Sequence, residues 1–144
     1  MAGSRRWAAT TASAPEKFGI MLMRIMVGVV FLMHGYQKWF MLKVAGTVDM
    51  FGHLHMPPSA AYATMTAELI CGALLVLGLL TRLAAIPIVV VMAVAVYAVH
   101  LPYGFFISYK PVVQGYEYPL TLGIAALGLI FTGPGMLAAD NLLA

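Results

Sequence analysis

Charge is scarce in this chain: Asp, Glu, Lys and Arg make up 9% of its 144 residues. A soluble domain carries about 25% charged residues, so this chain cannot cover a water-facing surface of its own size. The deficit argues against a soluble enzyme. Cysteine is scarcer still. Cys71 stands alone, which excludes an internal disulfide, a CxxC redox pair and a cysteine-based zinc site. Basic runs are missing too. The eight Lys and Arg are scattered, and no run exceeds Arg5-Arg6. The concentrated basic face that nucleic acid requires is therefore absent, and no nucleic-acid partner is expected. The sequence also offers no intrinsic haem, flavin or iron–sulfur motif.

What it has in abundance is apolar length: 62% of the residues are hydrophobic and the mean hydropathy is +0.94. At roughly 20 residues per crossing, the chain holds about four transmembrane helices and no separate soluble catalytic domain. Spans are predicted at about 18–42, 61–80, 83–101 and 118–132. Only Thr81 and Arg82 separate the second and third, which makes them antiparallel neighbours. The fourth stops at Gly133-Pro134-Gly135, where a regular helix cannot continue. The apolar tail after it, with Asp140 its one acid, is expected in the membrane interface.

Residues 1–17 are small and polar and read as a retained, mobile cytoplasmic arm outside the 18–144 transmembrane domain. Ala12-Ser13-Ala14 resembles a signal-peptidase site, but no apolar run precedes it. Arg5, Arg6, Lys17 and Arg82 outnumber Lys43 and Lys110 of the two longer loops. The positive-inside rule then puts both termini in the cytoplasm and the loops at 43–60 and 102–117 outside. The expected fold class is an all-α integral membrane protein, a four-transmembrane-helix bundle in the inner (plasma) membrane with lipid around it.

With that topology all four histidines and all seven tyrosines fall in the outer half. An aromatic belt decorates both interfaces, so the one-sided concentration is informative. Glu68, about two turns into the second span, is the most telling residue. An ionised acid at a helix centre costs roughly 2.5 to 3.5 kcal/mol, so it needs a partner or a proton. His34 lies at similar depth on the first span, and Lys38 follows it by one turn. Tyr97 and His100 are three apart near the outer end of the third span. Two readings stay open for Glu68: an interhelical pair with His34 or Lys38 that only fixes packing, or a proton-exchanging group in a lipid-accessible pocket.

On the first span Arg24, Gly28, Phe31, Gly35 and Lys38 form one stripe, and Glu68, Gly72, Leu75 and Leu79 form a matching one on the second. The two are expected to face each other, with glycines permitting close approach. Arg24 sits in the inner leaflet, where it can snorkel to phosphates or pair with Asp140 if the tail folds back. Arg82 reads as a headgroup anchor. His53 and His55 have no clear third ligand, so no metal site is assigned.

The stretch Arg24-Ile-Met-Val-Gly28-Val-Val-Phe31-Leu-Met-His34-Gly35-Tyr-Gln-Lys38 resembles the first-helix signature of the DoxX family of small bacterial and archaeal membrane proteins. Phe51-Gly52 with Met56-Pro57, Glu68-Leu-Ile-Cys-Gly72, Gly78-Leu-Leu-Thr81-Arg82, His100 to Phe106, Tyr116-Glu117-Tyr118-Pro119 and Gly133-Pro134-Gly135 to Asp140 continue the pattern in order. The family more often has a serine shortly before its final Asp, where this chain has Ala138-Ala139. The resemblance implies a four-helix membrane bundle and a role in membrane redox systems, with relatives serving as subunits of quinone-linked sulfur oxidation or associating with redox partners. It carries over no catalytic residue.

Two functions of different class follow. One is a quinone- or quinol-interacting subunit with a site between spans one, two and three in the outer leaflet. Quinone chemistry needs hydrogen-bond donors, a proton-exchanging group and an apolar cavity open to lipid. Glu68, His34 and His100 would supply the catalytic polar set, Tyr97 and Lys38 further contacts, and Phe31, Phe105 and Phe106 the packing on the ring. Electrons must then come from a partner protein, making any activity that of a quinone-linked oxidoreductase subunit. The other is a non-catalytic accessory subunit that docks onto a larger membrane complex. Haem b ligation by His34 and His100 is disfavoured by their different apparent depths.

Overall fold

The structure is a computed structural model that describes residues 12–109 and 112–143. Most of the predicted N-terminal arm, residues 1–11, lies outside the described residues. Helix α1 (Ala14–Tyr36) begins four residues ahead of the expected boundary. The physical reason is local: the Ser13 N–H donates to the Glu16 carboxylate at 2.6 Å, and Pro15 sits in the first turn, where no intrahelical donor is needed. Lys17 is thus helical rather than part of an arm.

A π turn, Gln37–Met41, extends α1 without a break, giving a continuous apolar segment Ala14–Met41 of 28 residues. The first outer loop is not a loop for most of its length. It folds into α2 (Lys43–His53), entered through a positive φ of 62° at Lys43. Thr47, fully buried on α2, shares its hydroxyl hydrogen between the carbonyls of Lys38 and Lys43, both at 3.1 Å, and so fastens α2 to the π turn. Next come α3 (Pro58–Leu77) and α4 (Thr81–Ala95), joined by a corner in which Gly78 and Leu80 take positive φ. A second π turn, Val96–His100, and a 3-10 turn, Leu101–Tyr103, prolong α4. A two-residue antiparallel pairing of β1 (Ser108–Tyr109) with β2 (Val112–Val113) interrupts the otherwise helical chain before α5 (Glu117–Thr132) and the short α6 (Asp140–Leu143).

Three segments, Ala14–Met41, Pro58–Leu77 and Thr81–Tyr103, are long and apolar enough to cross a membrane. The fourth apolar helix, α5, has 16 residues. Helices α1, α3, α4 and α5 pack around one core that includes Phe31, Leu75, Ile88 and Leu129. The two predicted stripes do meet. A Cβ at Gly28 would lie 2.7 Å from the Val76 backbone nitrogen, and one at Gly35 or Gly72 would strike the backbone of Leu69 or Leu32. The helices therefore touch backbone to backbone, as small residues allow in membranes. Outward faces stay apolar, with Met26, Leu83 and Phe131 all more than half exposed. Together these features describe a membrane protein.

The tail after α5 folds back under the bundle. Met136 N–H donates to Lys17 O at 3.1 Å, Ala139 N–H to Leu77 O at 3.2 Å and Asp140 N–H to Gly78 O at 2.9 Å. The Asp140 carboxylate accepts from the N–H groups of Leu80 and Thr81 at 2.6 and 2.9 Å, capping α4. Arg24 neither snorkels nor makes an ion pair with Asp140. It is fully buried and donates through Nη2 to the carbonyls of Met136 and Leu137, because the tail covers the path to the headgroups. Arg82, expected as a headgroup anchor, donates through Nη1 to Ile130 O at 2.8 Å near the end of α5.

Candidate functional site

Glu68 is 3% exposed and lies on the face of α3 that meets α1. Opposite it, Lys38 sits in the π turn of α1, and its Nζ donates to Glu68 Oε2 at 2.5 Å. The π geometry matters here, since an extra residue per turn rotates the following side chains relative to a regular helix, a feature that recurs at functional sites. Of the two partners open in the sequence, His34 and Lys38, the structure selects Lys38.

This ion pair borders a cavity of about 490 Å³. Its walls come from α1 (Phe31, His34, Lys38), α2 (Phe51), α3 (Thr64, Glu68), α4 with its π turn (Met92, His100), the hairpin before α5 (Gln114) and α5 (Pro119, Leu122). Phe31 is 1% exposed and gives a rigid apolar wall. His34 is half-buried and has no hydrogen-bond partner among the described residues. His100 is fixed by a 2.7 Å contact between its Nδ1 and the Gln114 carbonyl. The volume lies inside the roughly 300–1,000 Å³ common for small-molecule sites, and the lining is mostly apolar with a few convergent polar groups, as such sites are.

Five of the eight candidate site residues, Phe31, His34, Lys38, Glu68 and His100, border this one cavity. Three do not. Tyr97 is 77% exposed on the outer surface of α4, because within the Val96–His100 π turn three residues fall further short of a full turn than in an α-helix. Phe105 and Phe106 follow Gly104, whose φ of 78° turns the chain away from the bundle. They pack on each other edge to face with centroids 5.2 Å apart, and Phe105 also meets Tyr116 at 5.4 Å. Aromatic walls come instead from Phe51 and Tyr118. Sequence reasoning also missed Thr64, Gln37 and Gln114. Thr64 had a signal, since it lies one turn before Glu68; Gln114 had none, because a hairpin delivers it.

His53 and His55 are exposed outside the cavity, His53 lying 3.5 Å from Asp49. The described residues contain no group of three or more His, Cys, Asp or Glu placed to hold a metal ion.

Comparison with known proteins places this architecture. A Bacillus subtilis protein named "Putative oxidoreductase CatD" is 29% identical over 124 residues, 86% of each chain. An uncharacterized membrane protein of Mycobacterium tuberculosis is 30% identical over 132 residues, covering 86% of this chain and 80% of its own. A Haemophilus influenzae protein is 30% identical over 119 residues, 83% of this chain and 86% of its own. No solved structure matches. The model of the DoxX family matches residues 19–101, which include α1 to α4 almost entirely and with them Phe31, His34, Lys38, Glu68 and His100. The chain belongs to the DoxX family of membrane proteins.

Proposed function

We propose that this chain is a DoxX-type subunit of a membrane redox system and that the cavity between α1, α3 and α4 binds the head group of a quinone or quinol. One observation carries the reading: a buried acid–base pair, Lys38 and Glu68, borders an apolar cavity that also holds two histidines. The residues present fit such a ring. Phe31, Met92 and Leu122 offer apolar packing, and His34, Gln37, Thr64 and His100 offer hydrogen bonds around it. A bound quinone would supply the two-electron, two-proton chemistry that these side chains lack. Lys38 and Glu68 would exchange protons with the ring oxygens, the apolar wall would exclude water, and His34 and His100 would orient the head group. Electrons pass between the site and a partner protein in this reading. The name of the Bacillus subtilis relative supports a redox association.

The same proposal puts the protein in the inner (plasma) membrane with four crossings and both termini in the cytoplasm. In support, α5 starts beside Gly104 and Phe105, just past the end of α4, and finishes beside Arg82 at the start of α4. It thus runs the height of the bundle antiparallel to α4. Its 16 residues span about 24 Å, somewhat less than a ~30 Å hydrocarbon core, a mismatch bilayers absorb by thinning.

A second reading is favoured by the same ion pair. Lys38–Glu68 links α1 to α3 and serves equally as a strut in an accessory subunit that docks onto a larger complex. Organic extraction of the purified protein followed by mass spectrometry separates the two. Co-purifying quinone, and reduced electron flux through the host complex in Glu68→Gln, are expected for the first. Absence of quinone with unchanged flux removes it. Loss of complex assembly in Glu68→Gln without a change in quinone content establishes the strut.

A further inference from the structure

The contact at His100 fixes which ring nitrogen carries the hydrogen. Nδ1 lies 2.7 Å from the Gln114 carbonyl oxygen. A carbonyl oxygen only accepts, so Nδ1 is the donor, and in the neutral imidazole Nε2 is left as an acceptor. No described residue hydrogen-bonds to Nε2, and His100 borders the cavity. Glu68 adds a second acceptor there, because Lys38 engages Oε2 and Oε1 has no partner among the described residues.

The carbonyl that sets this tautomer is itself firmly placed. The hairpin carrying Gln114 is closed by Tyr116 N–H donating to Gly104 O and Glu117 N–H donating to Phe105 O, both at 3.0 Å. The Glu117 carboxylate also accepts from Ile107 N–H at 2.8 Å. Ring orientation at His100 is thus imposed by the hairpin, not by the helix that carries the histidine.

An acceptor at a binding wall discriminates between the two redox forms of a quinone ring. Hydroquinone oxygens carry hydrogens and donate to Nε2; quinone oxygens are acceptors only and oppose it. A site whose polar group is left unpaired by the wrong ligand rejects that ligand. We infer that the cavity selects hydroquinone over its quinone and that His100, held in its Nδ1–H form by the Gln114 carbonyl, is the residue that reads the difference. This rests on the quinone reading of the site and adds which redox form the site takes.

The test titrates a short-tailed benzoquinol and the matching benzoquinone, anaerobically, into the full chain in lipid nanodiscs. Hydroquinone should bind about ten-fold tighter, the worth of one well-made hydrogen bond against an opposed acceptor. In His100→Asn the amide can still donate to the Gln114 carbonyl, but nothing occupies the Nε2 position. That variant should bring the two affinities within about two-fold, chiefly by weakening hydroquinone binding. An independent reading uses the wild type with nitrogen-15-labelled histidine: the Nε2 resonance absent from His100→Asn should move with hydroquinone and not with quinone. Equal affinities in the wild type, a preference that survives His100→Asn, or an unmoved Nε2 resonance overturns the inference and leaves the site. Binding of neither ring overturns the quinone reading itself.

Discussion

Asp140 illustrates how much one side chain can hold at the end of the bundle where the tail folds back. Burial alone pushes its carboxyl up, but the Thr81 and Leu80 N–H groups and the nearby Arg24 charge outweigh that and hold it below the ordinary carboxylate range. A depressed folded value means the unfolded chain binds the proton more readily. The stabilisation is therefore complete above the unfolded carboxylate range and is lost as pH falls through the lower folded value. Asp140→Ala should cost about 1 kcal/mol at neutral pH, in line with loss of a helix cap. Its stability should also fall less steeply on acidification than that of the wild type. Thermal unfolding followed by circular dichroism at neutral and acid pH checks both. The sequence showed Arg24 and Asp140 as possible partners. That they act through backbone groups, Arg24 on tail carbonyls and Asp140 on the α4 amides, was illegible there, because the choice depends on the path of the tail between them.

At the scale of elements, the seam between α1 and α3 sets the geometry of the site. Gly35 lies three residues before Lys38, and its Cα hydrogen faces the backbone of Leu69, next to Glu68. A methyl there forces the helices apart, at about 1–3 kcal/mol for overpacking, and lengthens the Lys38–Glu68 contact. Gly19, in the same helix, has nothing within 4 Å of a Cβ, so alanine there is tolerated or slightly stabilising. Gly35→Ala should lower the melting temperature in detergent and Gly19→Ala should not. Cys71, buried and the sole cysteine, lets a thiol-reactive fluorophore report the unfolding. The stripes on α1 and α3 were legible because helical spacing alone puts Gly28, Gly35 and Gly72 on the sides that meet. The two π turns were not. They change the phase of Lys38, Tyr97 and His100, and a 3.6-residue period carries no sign of them.

For the whole molecule, the hairpin before α5 and the folded tail mark opposite ends of the bundle. Phe106, 72% exposed, sits beyond α4 on the end that carries the cavity, and Leu142, 88% exposed, lies on the other. In a Cys71→Ala background, Phe106→Cys should react with a membrane-impermeant maleimide in intact cells. Leu142→Cys should react only after the membrane is opened. The reverse pattern would invert the orientation drawn from Arg5, Arg6, Lys17 and Arg82.

By itself the sequence determined the membrane class, the long helices and the grouping of His34, Lys38, Glu68 and His100. Each follows from composition and local periodicity, which act along the chain: 9% charge cannot coat a soluble surface, and one acid in an apolar helix must find a partner. The tertiary structure decided which partner Glu68 takes, that α2 and the hairpin close over the site, and that Tyr97, Phe105 and Phe106 stay outside it. Those outcomes depend on helix rotation and on where loops return, set by contacts between residues far apart in sequence. Gln114 reaches His100 only because a hairpin brings it back, and no spacing rule in the chain foretells that meeting.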